Sequence, residues 1–93
     1  MEFEWDDNKN NSNIKRRGID FNDVIPVFFD ENAVSYEDKR YVYPDGQRMI
    51  IIGKSNSRFL YVAYAEIREG EVIRIISARK AEKLDIRRYQ KGF

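Results

Sequence analysis

Two residue types are missing from this chain of 93 residues: it has no cysteine and no histidine. Without cysteine there are no disulfides and no thiolate metal sites. Without histidine the usual general acid and base near neutral pH is gone, and so is the commonest zinc ligand. The acidic pairs Asp6-Asp7, Asp30-Glu31 and Glu37-Asp38 lack the spacing of a calcium loop, and adjacent carboxylates seldom converge on one ion. No metal and no cofactor is expected. The five glycines (18, 46, 53, 70, 92) are too scattered for a phosphate-cradling loop. Any catalysis must run on Arg, Lys, Tyr, Ser or carboxylates.

Long hydrophobic runs are absent too. The longest, 59–65, has seven residues, against the roughly 20 that a membrane-spanning helix needs. The start, Met1-Glu2-Phe3-Glu4-Trp5-Asp6-Asp7, is acidic and does not read as a signal peptide. A soluble, cytoplasmic protein with no membrane partner is expected.

What is present suits one small domain spanning 1–93. Hydrophobic residues make up 42% and include thirteen aromatics, enough for one core and too few for a second. Net charge is only +1, yet the charges are segregated. Lys9, Lys15, Arg16 and Arg17 carry +4 between 9 and 17 without an acid. From Asp20 to Asp45 seven acids face Lys39 and Arg40, a net −5. From Arg74 to Lys91 seven bases (Arg74, Arg79, Lys80, Lys83, Arg87, Arg88, Lys91) face only Glu82 and Asp85, a net +5. Cations gathered on one element are the footprint of polyanion binding, and an acidic middle suggests a second surface with another partner.

Local patterns give the elements. Phe3 to Trp5 reads as a short strand, and Asp6 or Asp7 then caps a helix that runs to Arg17 and stops at Gly18. Lys9, Asn13 and Arg16 share one face of it. With Ile14 as its only aliphatic residue, that helix belongs at the surface, held by few contacts. Asp20 opens a second helix whose Phe21, Val24, Ile25 and Phe28 form a core stripe, kinked or shortened by Pro26. After a strand near 33–36 come three strands, 47–53, 58–67 and 71–77, rich in Ile, Val and Tyr. Short loops make them an antiparallel meander. A final helix is expected from about Lys80 to Gln90. The fold class is α+β, a curved antiparallel sheet with N-terminal helices and a C-terminal helix.

Arg79, Lys83, Arg87 and Lys91 recur every four residues, a slowly drifting cationic stripe along the last helix. The opposite side would dock through Ala81, Leu84 and Ile86. A stripe of this kind is either a phosphate-binding face or an ordinary solvated one. Arg74, within an apolar strand, needs an anionic partner, either Glu66 or a phosphate. Glu66 shares strand parity with Leu60, Val62 and Tyr64. Partial burial would suit it to a general base, and a structural ion pair fits equally well.

At these residues the chain resembles the BrnT family, ribonuclease toxins of type II toxin–antitoxin pairs. The resemblance covers nearly the whole chain: Phe3-Glu4-Trp5-Asp6 with Lys9, Asn13 and Ile14; Gly18, Phe21 and Val27-Phe28; Gln47-Arg48 with Ile52-Gly53, and Glu66. Its most specific part is Arg74-Ile75-Ile76-Ser77-Ala78-Arg79-Lys80-Ala81 with Arg87-Arg88-Tyr89. It implies a RelE-like ribonuclease fold, RNA as substrate, and a cognate BrnA-like antitoxin assembled with the toxin as a heterotetramer. DNA would be contacted only through the antitoxin. Two departures stand out. Where the family commonly has Lys-His-Gly this chain has Arg16-Arg17-Gly18, and its Thr-Glu-Arg is Ala65-Glu66-Ile67 here. Arginine stays protonated, so Arg17 can hold a phosphate but cannot shuttle a proton.

The expected reaction is metal-independent RNA cleavage by attack of a 2′-OH on the adjacent phosphorus. Arg48 and Arg79 would stabilise the developing charge, since planar guanidinium forks match phosphate oxygens. Glu66 would be the base, and Tyr89 the acid or a stacking platform. Lys9, Arg16, Arg17, Lys83, Arg87 and Arg88 would hold the RNA backbone. Structural roles compete: Tyr89 can anchor the terminal helix and Arg48 can pair with a loop acid. The competing function is a catalytically weak or inactive binding module serving only as antitoxin partner or co-repressor. Phe29, Tyr36, Tyr41 and Tyr43, near the acidic middle, would face the antitoxin.

Overall fold

The computed structural model describes residues 1–40, 44 and 47–92, so Tyr41 and Tyr43 lie outside the described residues. Along the chain come β1 (Glu2–Glu4), α1 (Asp7–Arg17), a 3₁₀ helix (Phe21–Phe29), β2 (Val34–Glu37), β3 (Met49–Ser55), β4 (Arg58–Ile67), β5 (Val72–Lys80) and α2 (Lys83–Lys91). Among the described residues they form one α+β unit around a five-stranded sheet ordered β1-β5-β4-β3-β2.

From β2 to β5 the sheet is the expected antiparallel meander. β1 departs from it by pairing parallel to β5, Glu2 beside Val72 and Glu4 beside Arg74, so the sheet is mixed. No hairpin fixes the direction of β1, because the whole meander separates it from β5. A parallel β1 ends where the outer edge of β5 becomes free, and α1 then runs along that edge.

The edge explains how so polar a helix is held. Asn10 and Asn13, not aliphatic residues, are its buried side chains. Asn13 Oδ1 accepts the Ala78 N–H (3.1 Å) and its Nδ2 donates to the Ile19 carbonyl (2.9 Å). Asn10 Oδ1 accepts the Phe21 N–H (2.8 Å). Buried backbone groups need such partners. Asn13 therefore faces inward, apart from exposed Lys9 and Arg16. The caps are those expected, Asp6 at the start and Gly18, with φ +72°, at the end.

The second helix is 3₁₀ throughout, rather than a kinked α-helix. Phe21, Val24 and Val27 are fully buried, and their spacing of three suits three residues per turn. Ile25 and Phe28 pack only partly against the same core. Pro26 has no N–H to give to Asp23, three residues back, and the Ser55 hydroxyl donates to that carbonyl instead. Gly53 lets the helix come this near, since a Cβ there would stand 3.0 Å from Val27 Cγ1.

These helical residues cover one sheet face, on Ile51, Leu60, Val62, Tyr64, Ile75 and Ala78. The other face carries Ile50, Ile52 and Ala81, with Ile86 and Tyr89 of α2 packed partly against them. Arg79 and Lys80 belong to β5, so the four-residue recurrence is a helical stripe only from Lys83 onward. Leu84 does not dock, being 72% exposed. Among the described residues no helix is long and apolar enough to cross a membrane.

Candidate active site

Arg79 is held in place from four directions. Strand pairing sets it beside Tyr61, and its guanidinium carbon lies 3.7 Å from the centre of the Tyr61 ring. Its Nη1 donates to Asp85 Oδ2 (2.9 Å) and to the Lys80 carbonyl (3.1 Å), with Glu82 at 3.6 Å. Asp85 also accepts the Glu82 N–H at 2.8 Å, closing the first turn of α2. A stacked, ion-paired guanidinium is pre-organised, with much of its side-chain entropy already lost in the fold.

A second stack stands nearby. The Arg88 guanidinium lies 4.2 Å from the centre of the Tyr36 ring. Burial, then the neighbouring Tyr61 hydroxyl, pushes the Tyr36 phenol above its ordinary pKa, with Arg88 opposing. Tyr36 thus stays protonated at neutral pH and able to donate. Arg40 forks onto Asp38 (2.9 and 3.0 Å) and reaches the Tyr61 hydroxyl at 3.5 Å.

These side chains line a cavity of about 570 Å³ on the α2 face, with Leu84 at its wall. A smaller cavity of about 160 Å³, at the β5 edge, is lined by Arg16 and Arg17 from the end of α1, with Ser77. Tyr61 and Arg79 line both. Together the two cavities carry six cations against three carboxylates. The lining is cationic on balance and aromatic.

Of the residues singled out in the sequence, Arg16, Arg17, Arg79 and Arg88 converge here. Lys83 and Arg87 are exposed on α2. Lys9 lines a separate cavity of about 280 Å³ with Trp5 and Arg74. Arg74 is paired, and its carboxylate partner is Glu4 on β1 rather than Glu66 (Nε to Oε2, 2.6 Å). Glu66 is exposed at the far end of β4. It lies five residues from Tyr61, roughly 16 Å along the strand, and strand alternation turns it to the opposite face. Arg48 precedes β3, where its carbonyl accepts the Asp38 N–H (2.9 Å). Alternation with Ile50 and Ile52 puts it on the α2 face, roughly 13 Å along the strand from Ile52. Tyr89 packs edge-on against Phe59, and its hydroxyl donates to Asp30 (2.9 Å). Of the aromatic residues expected to face an antitoxin, Tyr36 lines the large cavity and Phe29 is 65% exposed near Phe3.

Tyr61, Asp85, Asp38 and Arg40 were not found from the sequence. Tyr61 had a signal: it alternates with the core residues Leu60 and Val62, so it faces the other layer. Asp85 had a weaker one, as a carboxylate three residues after Glu82 at a helix start. Among the described residues no three carboxylates stand together as metal ligands.

No curated protein matches the chain. The family profile described as ribonuclease toxin, BrnT, of type II toxin–antitoxin system matches residues 5–85. That span holds Arg16, Arg17, Tyr61, Arg79 and Asp85, and ends before Arg88. The chain belongs to the BrnT family of ribonuclease toxins.

Proposed function

We propose that this chain is a metal-independent endoribonuclease toxin in which Arg79 stabilises charge on the scissile phosphate. What carries the proposal is the position of Arg79, shared by two cavities and fixed by Tyr61 and Asp85. Attack of a 2′-OH on phosphorus forms the P–O2′ bond and breaks the P–O5′ bond. Charge grows on the non-bridging oxygens, where a fixed guanidinium contributes most. Arg16, Arg17 and Arg88 hold flanking phosphates. The 2′-OH proton passes to solvent water, and Tyr61, whose ring carries the Arg79 guanidinium, gives the leaving 5′-oxygen a proton that it regains from solvent. The place of Glu66 on the opposite sheet face, and the commitment of the Tyr89 hydroxyl to Asp30, favour removing them from the proton-transfer roles, and the offset of Arg48 along the strand leaves it a supporting one.

The wider proposal follows family membership. The meander flanked by helices is one domain over 1–93 with a RelE-like fold, acting in the cytoplasm. A BrnA-like antitoxin neutralises it, in a heterotetramer that meets DNA through the antitoxin.

A test is end-labelled RNA incubated in EDTA at low salt with wild type and Arg79→Ala. Cleavage by wild type alone is expected. Intact RNA from folded wild type would favour the second function, an inactive partner of the antitoxin. The absence of histidine and the distance of Glu66 from Arg79 support that alternative. Equal cleavage by Arg79→Ala would remove Arg79 from the centre.

A further inference from the structure

On the ribonuclease function proposed above, the two cavities divide the substrate between them. We infer that the larger cavity is a nucleobase subsite, in which the base beside the scissile phosphate stacks among Tyr36, Arg88 and Leu84. The smaller cavity would take only sugar–phosphate.

The lining of the two cavities differs in kind. At the β5 edge stand the exposed cations Arg16 and Arg17, with Asn13 committed to backbone hydrogen bonds. Such a surface attracts phosphates without regard to base. To the Tyr61–Arg79 stack that both cavities share, the α2-side cavity adds a second, Arg88 on Tyr36. Stacked arginine and aromatic planes are the surfaces on which unpaired bases settle.

Leu84 supplies the decisive contrast. It sits in the first turn of α2, is 72% exposed, and lines this cavity while Ile86 and Tyr89 dock the helix. An apolar side chain among four cations and three carboxylates gains nothing from a phosphate. It gains from a flat, largely apolar occupant whose polar edges can meet the surrounding charges. A nucleobase has that chemistry, and the cations of the same wall match the phosphate it carries. Arg79, common to both cavities, then marks the boundary between base-reading and backbone-holding halves.

The test uses a tetranucleotide with 2′-O-methyl riboses, which cannot be cleaved, and four counterparts each lacking one base. Binding to the full chain is followed by fluorescence anisotropy at low salt. For wild type, one abasic position is expected to weaken binding about tenfold, the others far less. Leu84→Ser and Arg88→Ala should erase most of that difference. Arg17→Ala should weaken all five ligands by one common factor. Equal binding of all five ligands by wild type would overturn the subsite while leaving phosphate binding in place. Retained base sensitivity in Leu84→Ser would place the base elsewhere and also overturn it. If Leu84→Ser loosens an antitoxin complex but leaves oligonucleotide binding unchanged, the leucine is a protein contact and the subsite is wrong. No binding of any oligonucleotide by folded wild type would overturn the ribonuclease function itself.

Discussion

Asp85 Oδ2 accepts from two donors at once, the Arg79 guanidinium at 2.9 Å and the Glu82 backbone N–H at 2.8 Å. One carboxylate thus ties the arginine of β5 to the first turn of α2. Both side chains are partly buried, Arg79 27% and Asp85 13% exposed, so the pair is more than a solvated surface bridge.

Asp85→Ala should lose the helix cap as well as the arginine's partner, and destabilise by about 1–2 kcal/mol. Asp85→Asn keeps an oxygen for the Glu82 N–H but no charge for Arg79. It should unfold at nearly the wild-type denaturant concentration while losing RNA cleavage. Full RNA cleavage by Asp85→Asn would make Asp85 only a cap.

Asn13 joins α1 to the edge of β5 and to the turn after the helix. Asn13→Ala would leave the buried Ala78 N–H and Ile19 carbonyl without their partners. At about 1–3 kcal/mol for each of the two stranded groups, a loss of about 2–6 kcal/mol is expected from urea unfolding. Because Arg16 and Arg17 follow on the same helix, RNA affinity should fall with it. A change below about 0.5 kcal/mol would mean water replaces both bonds.

Asp30 and Tyr89 give opposite pH dependences from one hydrogen bond. Burial alone would raise the Asp30 carboxyl. The Lys54 and Asn32 N–H groups, the Tyr89 hydroxyl and the Lys54 charge outweigh it and hold the carboxyl below its ordinary 3.8. Its contribution to stability is therefore complete above 3.8 and lost as pH falls through the lower folded value. Tyr89 is raised above 10.0 by burial and then by Asp30. Its contribution is complete below 10.0 and lost as pH rises through the folded value. Tyr89→Phe should flatten the alkaline side of a stability–pH curve, and Asp30→Asn the acid side. An unchanged alkaline slope in Tyr89→Phe would contradict this.

The turn between β4 and β5 carries strain. Arg68 and Glu69 have φ of +54° and +56°, the left-handed region, before Gly70. Each L-residue there costs roughly 1–2 kcal/mol, partly offset by the entropy glycine would lose on folding. Glu69→Gly should stabilise by about 0.5–1 kcal/mol, read from the midpoint of urea unfolding. Destabilisation would show that the Glu69 side chain has a role the turn geometry does not reveal.

Much of the fold was legible because its causes are local. Strand β4 begins and ends where alternation of Leu60, Val62 and Tyr64 places it. Helix α1 lies between the Asp6 and Gly18 that cap it, since capping depends on a few neighbouring residues. The 3₁₀ geometry was less so: Phe21, Val24, Ile25 and Phe28 fit an α-helical stripe. Only the seat offered by Ser55 and Gly53, distant in sequence, favours a turn of three. The direction of β1 was equally hidden, because nothing near Phe3 records that it will meet Ile73.

The sequence by itself determined that the chemistry must work without histidine or cysteine. It determined too that cations gather in two segments, 9–17 and 74–91, on either side of an acidic middle. Composition and order fix these facts in any fold. Only the tertiary structure decided which cations meet. It drew Arg16 and Arg17 to Arg79 through the bonds of Asn13, and set Tyr61 beneath the guanidinium by strand register. It left Glu66 roughly 16 Å away on the opposite face. Register and sheet side are properties of paired strands, and no single strand encodes its neighbour.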